Sequence, residues 1–216
     1  MKVWGRENEG GMGICYIIGA GEIGKLDFNP GKEDLVIACD GGYRHCQKWN
    51  IRADLVVGDF DSLGFLPEHP HVVRLKPEKD DTDTGYAVKT GLRKGFHTFV
   101  IYGGTGGRVS HTMANIQLLC DLARKGCQGV LIGKDAWFCV ICNEEVCFDK
   151  EYTGFLSVFC MGDEACGVYE TGLKYELCNA VLTKEYPVGV SNEFIGKESK
   201  VSVREGMLLL VGENKE

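Results

Sequence analysis

The sequence predicts two architectures in succession: an α/β domain over residues 1–133, with a mostly parallel sheet and helices on both faces, then an antiparallel β-sandwich over 134–216. Three observations carry this. Up to about Gly133, short β-branched runs alternate with turns or helical stretches, the pattern of strand, crossover helix and parallel strand. After Gly133 no long helical pattern survives, and short apolar runs are broken by Gly, Asn and acidic turns. The chain has 216 residues, 44% of them hydrophobic, enough to fill substantial cores.

The first-half strands are ICYII at 14–18, LVIAC at 35–39, DLVV at 54–57, HVVRL at 71–75, TFVIY at 98–102 and GVLIG at 129–133. Helical spacing marks 84–94 and 110–125. In the second of these, Met113, Ile116, Leu118, Leu119 and Leu122 form an apolar stripe and Gly126 is the stop. In the second half WFCVIC, FLSVFC, GVYET, AVLTKEY, KVSVR and MLLLV read as strands.

Charge and composition exclude several classes. Twenty-four basic against 31 acidic residues give a formal net charge of −7. No general positive field exists to draw a nucleic acid or an anionic membrane, although a small anion held by local groups remains compatible. No apolar run reaches the ~20 residues of a membrane span, and the N-terminal MKVWGRENEGG lacks an apolar signal core. A soluble, cytoplasmic protein is expected. Eleven cysteines, an odd number, read as reduced thiols. Cys139 and Cys142 form a C-x-x-C inside a strand-like run, which turns them to opposite faces, and no second ligand pair sits at zinc spacing. The five histidines are scattered, with no H-x-x-x-H.

Four loops carry candidate chemistry. Gly19-Ala-Gly-Glu-Ile-Gly24 after the first strand is a literal G-x-G-x-x-G, with Asp40 closing the next strand. The fingerprint requires a sustained helix after the glycines, and Asn29-Pro-Gly31 breaks one within about a turn and a half. NAD binding is therefore a minor reading beside a glycine-rich turn. Gly58-Asp-Phe-Asp-Ser62 follows a strand at the carboxyl end of the sheet. In an extended segment Asp59 and Asp61 point to one side, where they repel unless a cation lies between them. Lys79-Asp-Asp-Thr-Asp83 follows the next strand and opens a helix that Asp83 is placed to cap. Two acidic loops at one sheet edge suit Mg²⁺ completed by water and phosphate oxygens. Tyr102-Gly-Gly-Thr-Gly-Gly-Arg108 then leads into a helix, so glycine backbone, helix N-terminus and Arg108 favour phosphate, without the Lys-Ser/Thr ending of a Walker loop.

Together with Asp40-Gly-Gly42, His111, Asn115, Thr171-Gly-Leu-Lys-Tyr175 and Ser191-Asn192, these residues resemble the thiamine pyrophosphokinase family in type and order, across 40–192. The resemblance implies ATP and thiamine as substrates, Mg²⁺ as cofactor, and a homodimer with active sites at the subunit interface. It implies that Asp59, Asp61 and Asp83 hold the metal and form the catalytic group with Arg108. ATP and its phosphates would meet Asp40, Gly41, Gly42, Lys79, Asp80, Thr82, Gly103, Gly104, Thr105, Gly106, Gly107, Arg108 and His111. Thiamine would meet Asp83, Thr171, Tyr175, Ser191 and Asn192. Tyr175 stands where some members carry Trp, and Lys79 where some carry Gln. In a strand, Leu173, Tyr175 and Leu177 would share a face, so Tyr175 reads equally as a core residue. The alternatives are a pyrophosphokinase acting on another hydroxymethyl heterocycle such as a pterin, an NAD-binding oxidoreductase, and a non-catalytic nucleotide sensor.

Overall fold

The structure, a computed structural model, describes residues 13–214 apart from 25, 27, 62 and 77–80. The chain divides into two compact units. The first takes 13–118 and 127–134, the second 119–126 and 135–214. The change of unit after Lys134 lies one residue beyond the expected boundary at 133, and the last turns of one helix group with the second unit.

In the first unit, six strands form a parallel sheet: β1 (Cys15–Ile18), β2 (Leu35–Cys39), β3 (Leu55–Gly58), β4 (Val72–Arg74), β5 (Thr98–Tyr102) and β6 (Gln128–Ile132). Their spatial order is β6-β5-β1-β2-β3-β4, with every neighbouring pair parallel. The runs CYII and LVIAC are buried at every residue, as strands covered on both faces must be. The faces separate cleanly. Tyr16, Ile18, Val36, Ala38 and Tyr102 pack in one cluster with Cys46 of helix α1 (Gly42–Lys48). On the opposite face Gly91 of α2 (Asp83–Arg93) lies so near the Phe99 ring and the Cys15 sulfur that a Cβ would stand 2.6 and 2.9 Å from them. Helices thus cover both faces, as the alternation predicted. α3 (Val109–Arg124) leads from β5 toward β6 and is followed by Gly126 at φ +70°.

α2 and α3 occupy the predicted helical segments to within a residue at each end. α1 escaped the sequence reading: it is seven residues long and opens on glycine without a side-chain cap, so no start signal marks it.

The second unit is a sandwich of two antiparallel sheets. One has the order β12-β9-β14-β7, built from β7 (Ala136–Cys142), β9 (Phe155–Cys160), β12 (Gly189–Glu193) and β14 (Met207–Glu213). The other has the order β11-β10-β13-β8, built from β8 (Glu145–Phe148), β10 (Glu164–Thr171), β11 (Leu177–Thr183) and β13 (Ser199–Glu205). Ile141, Leu156, Leu208 and Leu210 of the first meet Phe148, Val168, Leu182 and Val201 of the second in one core. All eleven cysteines are free thiols, as expected. Cys139 is buried in that core, where burial pushes its thiol far up.

Candidate active site

In the first unit β2, β3 and β4 extend the sheet to one side of β1, and β5 and β6 to the other. The strand order therefore reverses between β1 and β5, and the crevice at the carboxyl ends of such strands is where open α/β sheets bind ligands. A cleft of about 580 Å³ opens there, a nucleotide-sized volume. It gathers the loops after β1, β2, β3 and β5 and the starts of α2 and α3.

Asp59, Asp61, Asp81 and Asp83 all line this cleft, with Gly103, Gly104, Thr105, Gly107, Arg108 and His111. Acid and phosphate-type groups predicted from separate loops thus share one cavity. Asp40 and Thr82 line it too, whereas Gly41, Gly42 and Gly106 are not among the lining residues. Gly42 explains itself otherwise: a Cβ there would lie 1.9 Å from the Ile18 carbonyl, so glycine lets α1 abut β1. Lys79 and Asp80 lie outside the described residues.

Two local geometries differ from the sequence expectation. The segment holding Asp59 and Asp61 is not extended, because Phe60 between them has φ +66°. Phe60 is buried in the core cluster, and this anchored turn sends the flanking aspartates to the cleft. The Asp61 N–H donates to Asp59 Oδ1 at 3.1 Å, closing the turn. Second, α2 is capped by Thr82, whose hydroxyl accepts from the Gly85 N–H at 3.0 Å. Asp83 stands in the first turn, where its charge complements the helix dipole. Cys39, at the end of β2, donates its thiol to the Asp83 carbonyl at 3.6 Å. Burial, then the nearby Asp83 carboxylate, pushes that thiol well up, so it is no nucleophile.

Among the described residues, no three acidic, His or Cys side chains converge closely enough to chelate an ion unaided. The donor chemistry nevertheless fits Mg²⁺. Asp59, Asp61 and Asp83 offer hard oxygen atoms on one cavity, and this ion takes much of its shell from water and phosphate.

Gly19, Ala20 and Gly21 also line the cleft, which the sequence reading did not assign to it. This loop is joined to its neighbour by backbone bonds: Gly19 N–H donates to the Tyr102 carbonyl (2.7 Å), Gly21 to Gly103 (2.8 Å) and Glu22 to Thr105 (3.2 Å). A Cβ on Gly21 would stand 2.1 Å from the Thr105 carbonyl, and one on Gly103 2.5 Å from the Gly19 carbonyl. The G-x-G spacing therefore serves to join two loops at the switch point. Asn115, a cleft residue on α3, donates from Nδ2 to the Gly104 carbonyl at 2.8 Å and steadies the same loop.

In the second unit, Tyr175 is 61% exposed and lies outside any strand, while Leu173 is buried; the core reading of this tyrosine is set aside. Lys174 reaches over its ring, 5.4 Å from the centroid, and pairs with Glu193 at 2.8 Å. Thr171 and Ser191 are exposed, and Ser191 has φ +60° with its N–H donating to Ser157 Oγ at 3.1 Å. Asn192 behaves differently, being 4% exposed. Its Oδ1 accepts from the Tyr175 N–H (2.9 Å) and the Glu193 N–H (2.9 Å). Its Nδ2 donates to the Tyr175 carbonyl (2.6 Å) and to Glu170 Oε2 (2.7 Å).

Comparison with known proteins agrees with both units. Residues 31–131 match the sequence model of the thiamin pyrophosphokinase catalytic domain, and residues 143–208 that of the thiamin pyrophosphokinase vitamin B1 binding domain. Thiamine pyrophosphokinase of Bacillus subtilis is 30% identical over 162 residues, covering 71% of this chain and 75% of that protein. The crystal structure of thiamine pyrophosphokinase from Bacillus subtilis superposes with a TM-score of 0.84 at 25% identity, over 94% of this chain and 100% of that one. That of a thiamin pyrophosphokinase family protein from Enterococcus faecalis gives 0.79 at 25% identity, over 94% and 99%. With both of its units matched, this chain belongs to the thiamine pyrophosphokinase family.

Proposed function

We propose that the chain transfers pyrophosphate from ATP to the hydroxyl of thiamine, giving thiamine diphosphate and AMP. The observation that carries this reading is the cleft at the switch point, which Asp59, Asp61 and Asp83 line together with Arg108 and the glycine-rich loop that leads into α3. Pyrophosphoryl transfer asks for charge neutralisation and in-line placement of an alcohol more than for covalent chemistry by the protein. Asp59, Asp61 and Asp83 are the residues that would hold Mg²⁺, which when bound neutralises phosphate charge and polarises the bond that breaks. Arg108, which lines the cleft, would supply a cation for phosphate oxygens. The first N–H groups of α3 lack intrahelical partners and favour an anion there.

Tyr175 offers an exposed aromatic ring for the acceptor heterocycle, and Thr171 and Ser191 of the same unit are exposed polar groups that would also meet it. The ATP groups and the acceptor groups belong to different units, and we read the active enzyme as a cytoplasmic homodimer whose sites combine them across subunits. No helix among the described residues is long and apolar enough to cross a membrane. Incubation with ATP, Mg²⁺ and thiamine tests the reading. Thiamine-dependent release of AMP with formation of thiamine diphosphate is expected. ATP binding without turnover would instead indicate a sensor, and turnover with a hydroxymethyl pterin but not thiamine a different acceptor.

A further inference from the structure

Glu170 is an ionisable side chain that none of the steps above uses. It lies on β10 with the same facing as Val168, toward the sandwich core, and is 1% exposed. An apolar side chain at this position would pack without the penalty that a buried carboxyl carries. What an apolar side chain cannot do is accept a hydrogen bond. Oε2 accepts from Asn192 Nδ2 at 2.7 Å, joining β10 of one sheet to β12 of the other. That acceptor acts in the same sense as the Tyr175 and Glu193 N–H groups, which donate to Oδ1, and together they set which way the Asn192 amide faces. With Nδ2 toward Glu170, Oδ1 is presented to the Tyr175 N–H and the second Nδ2 hydrogen to the Tyr175 carbonyl. The peptide groups on both sides of the Tyr175 side chain are thereby held by one amide, and the ring is left exposed.

We propose that Glu170 is a positioning residue for the acceptor site, acting through Asn192 to fix the backbone of Tyr175 and so the placement of its ring. The proposal rests on the reading of Tyr175 as the platform for the thiamine heterocycle.

Desolvation pushes the Glu170 carboxyl up to about 7, against the opposing effect of the Asn192 hydrogen bond. Oε1 has no hydrogen-bond partner among the described residues. A proton on Oε1 leaves Oε2 an acceptor, so the clamp survives in both protonation states. Glutamine reproduces that arrangement, with its carbonyl toward Asn192.

The test compares Glu170→Gln, Glu170→Leu, Asn192→Ser and the Leu/Ser double variant in the full-length enzyme. Glu170→Leu removes the acceptor and is expected to raise the thiamine KM roughly tenfold, the usual consequence of leaving a buried donor unpaired. The ATP KM should stay within about twofold, and Glu170→Gln should restore the wild-type value. Because Glu170 acts through Asn192, the double variant should match Asn192→Ser alone rather than multiply the two effects. Hydrogen exchange at the Tyr175 amide gives a readout independent of substrate, and it should accelerate in Glu170→Leu relative to amides of the parallel sheet. A wild-type protein without thiamine turnover but with accelerated exchange in Glu170→Leu would overturn the assigned reaction and leave the clamp standing. An active Glu170→Leu enzyme with unchanged thiamine KM overturns the proposal, even if its stability falls. If Glu170→Leu does not fold, an unchanged thiamine KM in Asn192→Ser overturns it equally, since the hydrogen-bonded link runs through that amide.

Discussion

Gly21→Ala separates the two loops that close the switch point, and its effect can be worked from the geometry. The added methyl would stand 2.1 Å from the Thr105 carbonyl oxygen and 2.7 Å from that of Gly103. Both are backbone atoms, so no rotamer change relieves the contact, and the loops must move apart by about an ångström. The Gly21 to Gly103 bond at 2.8 Å and the Glu22 to Thr105 bond at 3.2 Å are then lost. At about 1 kcal/mol each, with some extra for carbonyls left partly desolvated, the loss is about 2–3 kcal/mol. For a chain of this size that lowers the melting temperature by roughly 5–10 °C. The glycine-rich loop before α3 shifts with it, and a misplacement of this size reduces kcat/KM for ATP on the order of tenfold to a hundredfold. Gly107→Ala is the control. It changes a cleft glycine whose Cβ would meet nothing within 4 Å, so its melting temperature should be nearly that of the wild type. Differential scanning fluorimetry and initial rates over ATP concentration measure both variants. A Gly21→Ala protein that melts within a degree of wild type and keeps its ATP kinetics would refute the joined-loop account.

Asp59→Asn should lose most Mg²⁺-dependent turnover while melting at or above the wild-type temperature, because removing one of several neighbouring carboxylates relieves repulsion in the metal-free protein; retained turnover would exclude Asp59 as a metal ligand. Tyr175→Ala, at a residue 61% exposed, should shift melting little and raise the thiamine KM by about fivefold, the worth of roughly 1 kcal/mol of ring contact, and Tyr175→Trp should bind thiamine as well or better. For Glu170, with an ordinary value of 4.5 and a folded value of about 7, the folded state keeps a proton that the unfolded chain has already released, so its contribution to stability falls as pH rises from about 4.5 to 7 and is flat above. At ~1.4 kcal/mol per tenfold change in proton affinity, Glu170→Gln should gain about 3 kcal/mol over wild type between pH 4.5 and pH 8 in urea unfolding, and a pH-independent difference would contradict the buried titration. Mixed dimers of the Asp61→Asn and Tyr175→Ala chains should recover activity beyond either parent if sites combine two subunits.

The strands of the first unit were legible because parallel strands covered on both faces need continuous apolar runs, and LVIAC and TFVIY are such runs, at the observed bounds. The carboxyl-end placement of the candidate residues followed from the same alternation. What sequence left obscure are features decided by atoms far along the chain. β12 was missed because GVSNE carries a glycine and an asparagine, a left-handed Ser191 and a bulge between Gly189 and Asn192, none of which advertises a strand. The capping threonine was hidden by the aspartate beside it, since both residue types suit the same position.

The glycines show most clearly why a motif and its physical cause can part. Gly19 and Gly21 match the spacing of a dinucleotide fingerprint, and the missing helix after them argues against one. Sequence then leaves an ordinary turn as the remaining explanation. The structure supplies another: two loops whose bonded residues stand 82 or 83 positions apart approach until their backbones hydrogen-bond, and only glycine leaves room. The constraint belongs to the pair of loops, so neither stretch displays it alone. The same holds for Asn192, which reads as a ligand residue when placed beside an exposed Ser191. Its four hydrogen bonds run to Glu170, Glu193 and both peptide groups of Tyr175. A side chain so engaged would act on a substrate through what it holds, and the exposed ring of Tyr175 is the group proposed to make the contact.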